Sequence, residues 1–329
     1  QAAPETVCIT YGYDGEEKPA ARVRFHQLGI YAQDEWSPVE NFKLTYGLRL
    51  DGLFFDNKDL MTNNAIKALD YNGYSIDTGK WPTSNILVSP RIGFSWDVFN
   101  DKSLKVRGGT GIFTGRIPLV FFTNMPTNSG MVQNKVIITT DANGKPDDLL
   151  AQFAGKMITN TQELVSKLNT LDPDKYPLTM SPEQGVVSGQ IQAVDPDFKM
   201  PSIWKSSIAV DYQFPVSFPF SITGEFIYNK KINDVMLKNV NAKDVEGFPR
   251  FAGIDNRHIY PSSSEAKYTD VDAFVLTNTN KGYGYIANVM LKMQPIKCLS
   301  LTASSPHTVN KEISGLPGSA ASSAFTYIP

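Results

Sequence analysis

Charge, histidine and cysteine are all scarce in this chain. Charged residues make up 19% of its 329, with 31 Lys and Arg against 33 Asp and Glu for a formal net charge of −2. Neither sign dominates, so nothing points to nucleic acid or an anionic lipid surface as a partner. His26, His258 and His307 have no cysteine or carboxylate at metal-ligand spacing, and no metal site is expected. Cys8 and Cys298 stand at opposite ends without CxxC spacing. They read as free thiols, with one long-range disulfide as the alternative. No run approaches the ~18 consecutive apolar residues of a transmembrane helix. The opening "QAAPETVCITYGYDG" lacks a basic stretch followed by an apolar one, so no signal peptide is read there. Solenoid and propeller repeats are missing as well.

Motifs of catalysis are missing too. There is no GxSxG and no recognisable Ser-His-Asp set, so neither an enzyme nor a cofactor is expected. "DNKD" (56–59) and "DANGKPDD" (141–148) miss the calcium-loop frame and read as turn and cap residues. "KVRGGTGIFTGR" (105–116) looks at first like a phosphate cradle. Gly109, Gly111 and Gly115 are spaced GxGxxxG rather than GxGxxG, no GK[ST] follows, and "IFTGRIPLVFF" holds no helix start. A strand suits it better, with Lys105, Arg107, Gly109 and Gly111 on one face and Val106, Gly108, Thr110 and Ile112 on the other.

What the chain does have is aromatic residues, 11% of the total, and a period of two. In "FKLTYGLRLDG" (42–52) Phe42, Leu44, Tyr46, Leu48 and Leu50 alternate with Lys43, Thr45, Gly47, Arg49 and Asp51. "FHQLGIYAQDEW" (25–36) precedes it across "SPVEN" (37–41), which predicts a hairpin. Three more are predicted: "SPRIGFSWDVF" with "LKVRGGTGIF", 203–214 with 220–229, and 282–293 with 299–304. The result is all-β, with about eight antiparallel strands, several near the ten residues that cross a bilayer at a tilt. Turns within hairpins are short, whereas the links near 53–88, 116–202 and 230–281 are long. The largest link carries two helix signals. One runs over 146–158, and the other over 159–173 has Asn160 or Thr161 as cap and Leu164, Val165, Leu168 and Leu171 as its apolar stripe.

Short turns at one end and elaborate loops at the other are the asymmetry of outer-membrane barrels. Trp36, Trp96, Trp204, Phe54, Phe55, Phe214 and Tyr228 near strand ends suit interfacial girdles. In a barrel, Lys43, Arg49, Arg91, Asp97, Lys105, Arg107, Asp211 and Glu225 point into the lumen; the alternative is that they solvate an exposed sheet face. Phe121, Phe122, Tyr176 and Tyr260 are loop aromatics suited to stacking on a ligand, with loop packing as the equal alternative. The competing architectures are a soluble secreted β-sandwich binding module or adhesin and, further off, an all-β hydrolase with paired carboxylates.

"LGIYAQDEWSPVENFKLTYGLRLD", above all its "YAQDEW" and "YGLRLD", resembles a barrel strand pair of TonB-dependent outer-membrane receptors. "SPRIGFSWDV" followed by "LKVRGGTGIFTGRIP" resembles the next hairpin. "DPDFKMPSIWKSSIAVDYQF", "NDVMLKNVN", "DNRHIYP", "LTNTNKGYGY" and "NKEISGLPGSAASSAF" narrow the likeness to the large Bacteroides-type receptors that carry a carboxypeptidase-regulatory-like domain. The resemblance runs from about residue 10 to 329. It implies an outer-membrane receptor that binds a nutrient at its outer loops and imports it with energy passed through TonB. Membrane lipid, TonB acting through a plug, and a surface lipoprotein are the implied partners. The plug and N-terminal domain of such receptors are not visible here, and about eight strands fall short of the roughly 22 of a plugged barrel. The chain is therefore expected to be an internal barrel segment.

Overall fold

The computed structural model describes residues 6–139, 160–187, 189–262 and 264–313. Eight strands form one continuous antiparallel sheet: β2 (Arg24–Val39), β3 (Phe42–Asp56), β4 (Asn85–Asp97), β5 (Leu104–Thr114), β8 (Ser202–Gln213), β9 (Phe220–Asn239), β11 (Tyr283–Ile296) and β12 (Leu299–Lys311). Their order in the sheet is β12-β11-β9-β8-β5-β4-β3-β2. These are the four expected hairpins, laid side by side in chain order. The strands run longer than their alternation suggests. The turn between β2 and β3 shrinks to Glu40 and Asn41, with a bulge between Trp36 and Val39 absorbing Pro38. Strand β9 continues ten residues past Asn229, where "KKINDVMLKN" loses the apolar alternation that marked its first half.

Register places every apolar set on one face, because the side-chain period of two is preserved across each pairing. Tyr46 pairs with Ile92, Ile92 with Thr110, and Thr110 with Ser206. Ile30, Leu48, Ile86, Val88, Ile92, Ile208 and Val289 all stand on this face and are exposed, Ile30 at 73% and Ile86 at 61%. Trp36, Trp96, Phe54, Trp204 and Tyr228 share it. Phe55 does not: its ring lies 5.3 Å from that of Phe122, on the opposite side. No second sheet covers the apolar face among the described residues. A contiguous exposed apolar surface of this kind is not that of a soluble sandwich.

The long connections are folded. β1 (Thr6–Gly12) pairs with β6 (Gln133–Thr139) in a separate two-stranded sheet. β10 (Asp272–Thr279) pairs antiparallel with the far half of β9 and parallel with β7 (Gln190–Val194). The one-turn helix α1 (Asn64–Lys67) is capped by Asn63. Helix α2 (Val120–Asn128) lies where no helix start is legible, because Leu119 at its N-cap makes no side-chain bond. It begins six residues past the end of β5, so the glycines stay in a strand and form no phosphate turn. Helix α3 (Thr161–Leu171) matches expectation: Asn160 caps it, Leu164, Val165 and Leu168 are buried, and Leu171 is exposed. The other expected helix, over 146–158, lies outside the described residues.

Two hydrophobic cores sit in this cap. Ile66, Trp81, Phe122, Met125, Ile191 and Val275 centre the first. Ile9, Tyr11, Val136, Leu164 and Leu168 centre the second. Buried polar residues bind the loops together. Asn63 Oδ1 accepts from the backbone N–H of Ala65 (3.0 Å) and Ile66 (3.1 Å). Its Nδ2 donates to the carbonyls of Ser129 (2.9 Å) and Val186 (3.0 Å). One fully buried amide thus joins three stretches of chain far apart in sequence. Asn241 does the same locally, with Oδ1 accepting from the Tyr268 and Thr269 N–H groups.

Candidate functional site

The second face of the sheet carries the charge. Lys43, Arg49, Arg91, Asp97, Lys105, Arg107, Asp211 and Glu225 all share it by register: Gly47 opposes Arg91, Ser95 opposes Arg107, Lys105 opposes Asp211 and Ala209 opposes Glu225. Most are joined in pairs. Lys43 Nζ lies 2.5 Å from Glu35 Oε1. Arg49 grips both oxygens of Asp51, Nε to Oδ2 and Nη2 to Oδ1, each at 2.7 Å. That pair lies over Gly29, where an added Cβ would stand 2.8 Å from Arg49 Nη2. Arg107 bridges Asp211 (3.1 Å) and Glu225 (3.7 Å), and Thr223 Oγ1 donates to Asp211 Oδ1 at 2.7 Å. Asp97 sits at the turn end of this face, where its carboxylate accepts the Lys102 N–H and fixes the tight turn.

Arg91 instead stacks on Phe113, its guanidinium carbon 4.5 Å from the ring centroid. Around it the face is hollowed into a trough of about 500 Å³ whose lining includes Gly47, Gly93, Gly109, Lys205 and Ser207. The hollow is where the glycines of "KVRGGTGIF" acquire a purpose. Gly109 leaves bare backbone in its lining on the charged face, beside Gly47 and Gly93. On the apolar face a Cβ at Gly108 would stand 2.9 Å from the Phe94 ring, so that ring packs directly on backbone. The face split expected for this stretch is the one observed.

The four loop aromatics fare differently. Phe122 has no exposed surface, its ring 5.6 Å from Phe198 and 6.1 Å from Trp81 at the centre of the first core. Tyr176 is 3% exposed within the second. Both are packing residues, and the expectation that they stack on a ligand is corrected. Phe121 packs half-buried against the first core. Tyr260 is 66% exposed, with Phe248 5.9 Å away edge-on. The cap also holds a carboxylate that periodicity did not single out. Asp77 accepts from Thr62 Oγ1 (2.7 Å) and the Gly79 N–H, and pairs with Lys67 at 3.0 Å. Partial burial pushes its pKa up, but the bonds from Thr62, Lys67 and Gly79 outweigh that and hold it below the usual carboxylate value. Cys8 and Cys298 are free and exposed. Among the described residues no group of three or more His, Cys, Asp or Glu is placed to hold a metal ion.

A match to a known protein family agrees with this architecture. Residues 9–283 match the family described as "Outer membrane beta barrel domain". No curated protein matches the chain. Among solved structures it is similar to the FrpB iron transporter from Neisseria meningitidis (F3-3 variant), at 12% identity and a TM-score of 0.40, covering 89% of this chain and 27% of that one. It is also similar to the siderophore receptor PirA from Pseudomonas aeruginosa, at 11% identity and a TM-score of 0.40, covering 88% and 35%. The copper transporter OprC shows 11% identity and a TM-score of 0.40, covering 88% and 30%. The chain spans about a third or less of the length of these structures. With the family matched over most of its length and the strands sorted into one apolar and one charged face, the chain belongs to the outer membrane β-barrel domain family and resides in the outer membrane of a Gram-negative cell.

Proposed function

We propose that the chain forms wall and outer cap of a TonB-dependent receptor of the Bacteroides type, which binds a nutrient at its outer loops and imports it with energy delivered through TonB. The observation that carries this reading is the polarity of the sheet. Short turns close one end, and the long connections of the other end fold into a two-core cap that covers it. In this reading the apolar face contacts membrane lipid. Lys43, Arg49, Arg91, Lys105, Arg107 and Glu225 face the lumen, where a plug delivered by the rest of the receptor packs and moves, and Asp97 holds the turn below them. Phe121 and Tyr260 remain the loop aromatics with surface to offer a nutrient. A surface lipoprotein covering the cap is a further partner. The work is binding and passage, not covalent chemistry.

The test is growth of cells with and without the gene on a panel of iron chelates, corrinoids, peptides and glycans as sole source. The expected result is loss of growth on one nutrient, reproduced when TonB is removed from cells that keep the gene. Growth on every nutrient unaffected by the deletion, or a loss that TonB removal does not reproduce, overturns the reading.

A further inference from the structure

At the ends away from the short turns, β2, β3 and β4 meet residues 115–119, where the chain leaves β5. The Gly115 N–H donates to the Pro201 carbonyl at 2.7 Å, which pins this segment beside Met200. Between segment and sheet lies a cleft of about 140 Å³ that shares no lining residue with the trough around Arg91. Phe25, Leu53, Leu87, Ile117 and Met200 form its apolar walls, all half-buried. Gln27, Asp51, Thr114 and Arg116 are polar residues of its lining, and the Thr114 hydroxyl is already hydrogen-bonded to that of Ser89.

The two charges there are not equivalent. Asp51 is held by Arg49 on both oxygens, so that pair as a whole is neutral. Arg116 is exposed and, among the described residues, has neither an ion pair nor a hydrogen bond. The cleft therefore combines apolar walls with an exposed, unpaired arginine in its lining. A cavity of about 150 Å³ lined by Leu, Ile and Phe holds one benzene-sized ring. A guanidinium fits a carboxylate with two parallel bonds, an arrangement no neutral group reproduces.

We propose that this cleft binds a small aromatic carboxylate, its ring among Phe25, Leu53, Leu87, Ile117 and Met200 and its carboxylate on Arg116. The inference rests on the transport reading for its place in the cell, since it names the chemical class met at the outer mouth. Gln27 is within the lining to orient the acid. A ligand of the same shape without the charge forfeits the bond to Arg116, and a charged ligand without the ring forfeits the walls.

The experiment titrates the protein, purified from outer membranes in detergent, with benzoate and with benzamide, and follows the probes by NMR. Benzoate is expected to bind saturably in the millimolar range, with benzamide about tenfold weaker, the loss of one charge-assisted contact. Arg116→Gln should weaken benzoate by a similar factor and leave benzamide unchanged. Leu53→Trp, which fills the cleft, should abolish both. The comparison of the two probes on the unaltered protein needs no variant and stands if either variant fails to fold. Absence of saturable benzoate binding, equal binding of the two probes, or benzoate binding indifferent to Arg116→Gln in a folded variant overturns the proposal. None of these bears on TonB-dependent growth, so the cleft can fail while the transport reading stands.

Discussion

At the scale of single residues, the cap is governed by a few buried groups rather than by its charges. Asn63 is fully buried and makes four hydrogen bonds, so Asn63→Ala leaves two carbonyls and two N–H groups without partners in a site water does not reach. A loss of about 2–3 kcal/mol is expected, read as a lower melting temperature of the cap and faster proteolysis within 57–84. Phe122→Ala should cost about 3–5 kcal/mol, because it opens a cavity among the Phe55, Trp81 and Phe198 rings at the centre of the core. If Phe122 instead contacts ligand, the variant melts normally and loses only binding. Asp77 links the cap to pH. Its pKa is lower folded than unfolded, so its contribution is complete above the ordinary carboxylate pKa and is lost as pH falls through the lower folded value. Acid titration should loosen 57–84 below about pH 4, and Asp77→Asn should flatten that part of the proteolysis profile.

At the scale of elements, the two faces of a strand make opposite demands. Ile92 and Arg91 are neighbours in β4 yet stand on opposite faces, Ile92 at 47% exposure among apolar side chains and Arg91 over Phe113 beside the trough. Ile92→Arg should cost about 2–4 kcal/mol near the bilayer midplane, falling toward zero if the position lies near an interface. Thr45→Arg, on the charged face, should cost little. Denaturant unfolding in lipid vesicles measures both, and equal costs would mean that the faces are misassigned. The strands themselves were readable because alternation is local. The second half of β9, the parallel pairing of β7 with β10 and the uncapped helix α2 were not readable. Their residues are chosen by contacts with segments tens of residues away rather than by a period of their own.

At the scale of the whole molecule, the sheet has two free edges. Strands β2 and β12 each pair on one side only among the described residues, and both are exposed nearly throughout. In a bilayer such edges are forbidden, since every unpaired N–H and carbonyl costs several kcal/mol in hydrocarbon. A barrel in the outer membrane therefore has to pair both, either with each other or with strands outside this sheet. Amide hydrogen exchange is expected to be as slow in β2 as in the central β5, and fast exchange along β2 would mean that the sheet stays open there.

The amino-acid sequence alone determined the eight strands of the main sheet, their hairpin pairing and the division of Lys43, Arg49, Arg91, Lys105, Arg107 and Glu225 from the apolar set. A period of two is a property of neighbouring residues and survives without knowledge of the fold. It also disposed of the phosphate cradle in 105–116. Only the tertiary structure decided which aromatics are buried. Phe121 and Phe122 are adjacent in sequence, and the turn of α2 sends one to the edge of the core and the other to its centre. The cleft at Arg116 was equally out of reach, because its walls come from β2, β3, β4 and residues 117 and 200. No local pattern brings those together; the crossing of the chain over the sheet does.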